Sequence, residues 1–138
     1  MQVKRSQRKP LRRKAARARL VAVVQAIEEA RAALRTARAA GMPVILVSPP
    51  GGAAYLGVGF FAALIEAARA EFPEVAVEAV MDCGEDPGWA LSALRMGFKT
   101  VVLRGNPKAR ARVVAIARAM GARLLARAPR ATGNRNFA

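Results

Sequence analysis

The residues best suited to chemistry in this chain stand where apolar runs stop. Val75 to Met81 gives way to Asp82-Cys83-Gly84-Glu85-Asp86-Pro87-Gly88, which holds three acids, a thiol and two glycines. Val44 to Val47 gives way to Ser48-Pro49-Pro50-Gly51-Gly52, and Thr100 to Leu103 to Arg104-Gly105-Asn106-Pro107. In parallel α/β proteins ligands bind at the carboxyl ends of the strands. The spacing therefore predicts one rim. Its candidate ligand-binding residues are Ser48, Gly51, Gly52, Asp82, Cys83, Gly84, Arg104, Gly105 and Asn106. Asp82 is the candidate proton donor and acceptor, because it sits at a strand end.

Each of these residues also has a plainer role open to it. Asp86 and Asn106 both precede a proline, the pattern of a helix N-cap followed by a proline at the first helical position. Glu85 then needs only solvent. Cys83 as a nucleophile would want a nearby base, usually histidine, and the chain contains none; a small buried thiol is the alternative. The Pro-Pro-Gly-Gly turn could cradle an anion, but no Gly-Lys-Ser/Thr follows it, and a tight strand-to-helix turn accounts for it equally. Gly57-Val58-Gly59 lacks the third glycine of a dinucleotide fingerprint. Arg104 could meet a ligand anion, or pair with Asp82 across neighbouring strand ends. No metal site and no cofactor are expected.

Charge is unevenly distributed. The 138 residues carry a net charge of +15, yet residues 1–20 hold nine Lys/Arg and no acid, and residues 104–138 hold nine more and no acid. All nine acids lie between Glu28 and Asp86. A near-neutral body thus carries two cationic ends, with Lys4, Arg5, Arg8, Lys9, Arg12, Arg13 and Lys14 as candidate polyanion contacts. Nucleic acid and an anionic membrane surface are both open as partners, and so is a merely solvated arm. No aromatics interleave with these bases, which disfavours stacking on single strands. A single cysteine fits a reducing compartment. No apolar run of membrane-spanning length is evident and no secretory signal is expected, so a cytoplasmic location follows as an expectation.

Four strands are expected, at about 43–48, 75–81, 98–103 and 122–126, with helices at about 15–40, 58–71, 87–96 and 107–120. The first helix rests on Leu20, Val23, Val24, Ile27 and Leu34, which recur at three-, four- and seven-residue steps. Each crossover is long enough for a parallel, right-handed connection. The expected architecture is one α/β domain over 15–127, either an open three-layer sandwich with helices on both faces or part of a TIM-like barrel. The length argues against a complete eight-stranded barrel, which needs roughly 200 residues. A disordered basic arm is expected over 1–14 and a loose tail over 128–138. Open sheet edges need cover, so two copies could associate.

From Pro43 to Gly105 the chain resembles the class II, zinc-dependent ketose-bisphosphate aldolases. Pro43-Val44-Ile45-Leu46 with Ser48 and Gly51, then Tyr55 and Gly57, looks like the family's second barrel strand and its loop. Val80-Met81-Asp82-Cys83-Gly84 is similar to the strand ending in Asp-His-Gly, and Gly97-Phe98-Lys99-Thr100-Val101-Val102 with Arg104-Gly105-Asn106 to the strand ending in Asp-Gly-Ser. The resemblance implies a barrel-type sheet and makes Asp82 the proton-transfer acid. It puts Cys83 where the family has a zinc-binding histidine, and Arg104 where it has an aspartate. Cys83 and Asp82 with Glu85 or Asp86 make a zinc set only on paper, because the remaining family ligands are histidines. The family's later phosphate-binding strands have no counterpart here.

Three functions follow as expectations. The first is a non-catalytic, aldolase-like domain acting as an interaction or small-anion-binding module. The second is an enzyme acting on a small phosphorylated or carboxylated substrate through Asp82. The third is association with RNA or the ribosome through the basic ends.

Overall fold

The computed structural model describes residues 18–132. The candidate contacts Lys4, Arg5, Arg8, Lys9, Arg12, Arg13 and Lys14 lie outside the described residues, as do the last six residues of the expected tail. The elements are β1 (Leu20–Val23), α1 (Ile27–Ala40), β2 (Val44–Val47), a π-helical turn (Ala53–Gly57) continuing into α2 (Val58–Glu71), β3 (Val77–Asp82), α3 (Pro87–Arg95), β4 (Thr100–Val102), α4 (Pro107–Ala119) and β5 (Arg123–Leu125). All strand pairs are parallel, in the spatial order β1-β2-β3-β4-β5.

The parallel α/β class holds, but the helix expected over 15–40 does not. Its N-terminal part is an extra strand, so the described sheet has five strands rather than four. Leu20-Val21-Ala22-Val23-Val24 is as continuously apolar and β-branched as Val44–Val47, and strands suit such runs. Leu20 aligns with Val44 and Val23 with Val47. The helix starts only at Ile27, where the Glu29 carboxylate turns back to accept from the backbone N–H of Gln25 (2.8 Å) and Ala26 (3.2 Å). The N–H of the N-cap and that of the residue before it are thereby satisfied. The helix ends at Gly41, whose φ of 65° lets its N–H return to the carbonyls of Ala37 and Arg38.

The strand order decides between the two architectures. Consecutive right-handed crossovers that never reverse direction put every helix on the same side. Contacts run α1 to α2, α2 to α3 and α3 to α4 in turn. All four described helices pack on one face, so among the described residues the arrangement is that of a partial barrel and not of a sandwich with helices on both faces. Small side chains make the close packing possible: Ala30, Ala33, Ala37, Ala68, Ala90, Ala93 and Ala117 are all buried under the helices. Phe61 is fully buried and stacks on Phe98 at 6.0 Å. Across the outer surface Arg31 donates to both carboxylate oxygens of Glu71, joining α1 to α2.

The run Ala53–Glu71 is 19 helical residues, long and apolar enough by composition to cross a bilayer. That is longer than the sequence pattern suggested. Here Ala53, Val58, Phe61, Leu64, Ile65 and Ala68 bury one side of it against the sheet, as a core helix does. The chain after β5 also departs from expectation. Ala128 packs on the sheet and Thr132 hydrogen-bonds to β1, so residues 128–132 are not loose.

On the helix-free face a polar row crosses β3, β4 and β5. Thr100 donates its hydroxyl to Glu78 at 2.7 Å, and Arg123 reaches the same oxygen at 3.1 Å. Burial alone would raise the Glu78 pKa, but the hydrogen bonds from Thr100 and Arg123 outweigh it and hold the group below the ordinary 4.5. A carboxylate depressed in the folded state stabilises fully above its unfolded value and stops doing so as pH falls through the folded one. Glu78→Gln should therefore flatten the fall in stability below about pH 4.5, measured by urea unfolding at a series of pH values. An unchanged slope would show that the row carries no linkage.

Candidate functional site

Strand alternation sorts the rim residues. Glu78, Val80 and Asp82 share the helix-free face of β3, while Met81 and the following Cys83 belong to the core under the helices. Asp82 closes β3 and is only 1% exposed. A carboxylate so enclosed must be compensated. Its Oδ1 accepts from three donors: Gly51 N–H (3.0 Å), Gly84 N–H (2.9 Å) and Arg104 Nη2 (3.1 Å). Its own N–H donates to the buried Ser48 Oγ at 2.8 Å. The loops after β2, β3 and β4 thus converge on one side chain.

Backbone bonds continue the sheet into these loops. Ser48 N–H donates to Val80 O (3.0 Å), Cys83 N–H to Val102 O (2.9 Å) and Arg104 N–H to Gly84 O (2.7 Å). Arg110, from α4, donates Nε to Leu103 O at 2.6 Å and fixes the end of β4. Gly84 has φ 60°, which allows its N–H to turn onto Asp82, and a Cβ there would lie 3.7 Å from the Gly51 backbone. At Gly52 a Cβ would meet Ser48 at 3.1 Å, so the turn packs directly on the serine.

Of the sequence candidates, the structure brings together Ser48, Gly51, Asp82, Gly84 and Arg104. The expected pairing of Arg104 with Asp82 is present. Gly52 stands behind Ser48, and Gly105 lies against the Glu85 side chain. Asn106 is taken up as the cap of α4, accepting from Lys108 and Ala109 N–H, and Asp86 caps α3 through Gly88 and Trp89 N–H. Cys83 is 3% exposed in the helix-side core and does not join the rim. Burial first, then the charges of Asp82 and Asp86, push its thiol up to about 12.

The zinc of the aldolase family does not fit these residues. The position that would carry a ligand histidine is a thiol buried in the helix-side core, on the opposite face from Asp82, and among the described residues no three His, Cys, Asp or Glu side chains gather as a metal set. The pattern of strand ends also gave no sign of a cleft at the opposite end of the sheet. About 590 Å³ of open space lies there beside Val77, Phe98, Lys99, Ala62, Ile65 and Arg69. Met96 and Gly97, which follow the end of α3 at Arg95, also line it.

A parallel sheet wound in one direction, helices on one face and polar residues gathered at the strand ends define a piece of a β/α-barrel domain. The family model described as "Fructose-bisphosphate aldolase class-II" matches residues 12–126. The chain belongs to this family. The fructose-bisphosphate aldolase of Xanthobacter flavus is 35% identical over 85 residues, 62% of this chain and 24% of that protein. Fructose-bisphosphate aldolase 2 of Cereibacter sphaeroides is 33% identical over 89 residues, 64% and 25% respectively. The Nostoc commune aldolase is 33% identical over 92 residues, 67% and 26%. The chain spans about a quarter of the length of the curated relatives it matches.

Two outcomes test this geometry. Asp82→Ala should destabilise the fold by roughly 3 kcal/mol, because Gly51, Gly84 and Arg104 lose their acceptor together; a change below about 1 kcal/mol in denaturant unfolding would contradict the role given to Asp82. Cys83 should resist iodoacetamide at pH 8 in the native protein and react promptly in 6 M guanidinium, read by mass spectrometry; native labelling at the rate of a free thiol would show that it reaches solvent.

Proposed function

We propose that this chain is a non-catalytic domain of the class II aldolase family that acts by binding rather than by turnover. The observation that carries the reading is the engagement of Asp82. A general base must reach the proton it removes. The residue at the family's proton-transfer position is 1% exposed, with three donors on one oxygen. The same contacts bear on small-anion binding. Gly51 N–H, Gly84 N–H and the Arg104 guanidinium form an anion cradle, and the chain's own carboxylate fills it. Binding at the rim then falls to the outward part of Arg104, whose side chain is 38% exposed. Cytoplasmic residence and polyanion attraction through the cationic ends belong to the same reading.

That exposure of Arg104 also favours one competing reading. If the guanidinium swings into solvent, Asp82 is released toward a small phosphorylated or carboxylated substrate, and the chain is an enzyme. Aldol cleavage of fructose 1,6-bisphosphate, with and without added zinc, separates the two. The expected result is no turnover above background for the parent protein, and no thermal shift with the sugar phosphate. Turnover that disappears in Asp82→Asn, while the variant stays folded, would overturn the non-catalytic reading.

A further inference from the structure

Beyond β5 the chain turns back across the sheet. Leu125 and Ala128 pack on the helix-free face against Val21, Ile45, Val47, Val80 and Val102. Thr132 then meets β1. Its N–H donates to Val21 O at 2.9 Å, and Val21 N–H donates to Thr132 Oγ1 at 2.8 Å. β1 faces β2 through the backbone of Leu20 and Val24, which donate to Pro43 O and Val47 O. Alternation therefore turns the N–H and C=O of Val21 to the opposite edge, where the described sheet has no further strand. Thr132 satisfies both groups, its hydroxyl standing in for a strand carbonyl.

Edge strands four spacings apart lie about 19 Å from each other along a sheet, and the stretch from Leu125 to Thr132 extends to about 23–25 Å, enough to cross it. The segment starts at the level of Val102 and ends lower, at the level of Ile45. It covers the face and the edge at once.

We propose that residues 126–132 are a strap that keeps the β1 edge closed against a second copy of this chain. The edge itself argues for that occupant. Val21 and Val23 both turn their backbone groups to it, and Val23 is 45% exposed. Two identical edges about a two-fold axis pair antiparallel and satisfy one another group for group, with the apolar side chains of the same valines in register. Thr132 takes the Val21 groups that such pairing needs. The strap is independent of whether the rim is catalytic, because no rim residue takes part in it.

The test uses the full chain. Light scattering after size exclusion should find the parent monomeric, with the Val21 amide protected from hydrogen exchange. Thr132→Pro, which removes both the N–H and the hydroxyl, should exchange at Val21 at least about tenfold faster and form a dimer whose fraction rises with concentration. Thr132→Ser, which keeps both groups, should behave as the parent. A folded Thr132→Pro variant that stays monomeric at every concentration would overturn the proposal, as would a parent that dimerises with Val21 protected. If the proline variant does not fold, the parent alone still decides the contact: a Val21 amide exchanging like an exposed one removes the strap.

Discussion

The structure depends on a single carboxylate oxygen. Asp82 Oδ1 is where the loops after β2, β3 and β4 meet, through Gly51, Gly84 and Arg104. A charge this deeply enclosed is tolerated only when its partners are aimed and close. That requirement acts outward. It fixes the turn at Gly51, the left-handed backbone at Gly84, and the direction in which Arg104 leaves β4. The Ser48 hydroxyl accepts the Asp82 N–H and so ties the end of β3 to β2 from the backbone side. Remove the carboxylate and three backbone segments lose the reason for their conformation.

The same alternation that buries Asp82 stacks the helix-free face in layers. Glu78, Thr100 and Arg123 make a polar row near the start of the strands. Val47, Val80, Val102 and Leu125 make an apolar row above it, and Asp82 with Arg104 closes the top. Side chains filling a sheet interior in successive layers are the habit of barrel strands. Here five strands carry it, and the chain from Leu125 to Thr132 supplies packing that more strands would otherwise give. Cys83 falls on the other side because it follows Asp82 by one residue, and one residue in a strand is a change of face.

Much of this was legible in the sequence. Four of the five described strands and the last three helices fall within two residues of the expected bounds, the π-helical turn ahead of α2 apart, because prolines and glycines bracket them. The caps at Asp86 and Asn106 and the Asp82–Arg104 pair follow from residue type at a strand or helix end. The first strand was hidden by a coincidence of spacing. Leu20, Val23, Val24 and Ile27 satisfy a helical period, while Val21 and Ala22 between them leave the run unbroken enough for a buried strand. Periodicity alone does not separate the two. Ala26 offers no side-chain acceptor, so the true helix start carries no cap signal except Glu29. The strap was hidden for another reason: Thr132 acts through a contact with Val21, 111 positions away, and nothing local marks it.

The presence of Asp82 therefore has two separable causes. One is the proton-transfer role that the resemblance of residues 80–84 to the family's Asp-His-Gly strand end implies. In this chain the neighbouring position is a thiol buried in the helix-side core, and the position after β4 carries a cation instead of an acid. With Arg104 where the resemblance places an aspartate, Asp82 faces a cation rather than a like charge, and an ion pair needs no metal to hold it together. The carboxylate then has a sufficient physical reason to remain, as the anion on which three loops close, whether or not any proton passes through it.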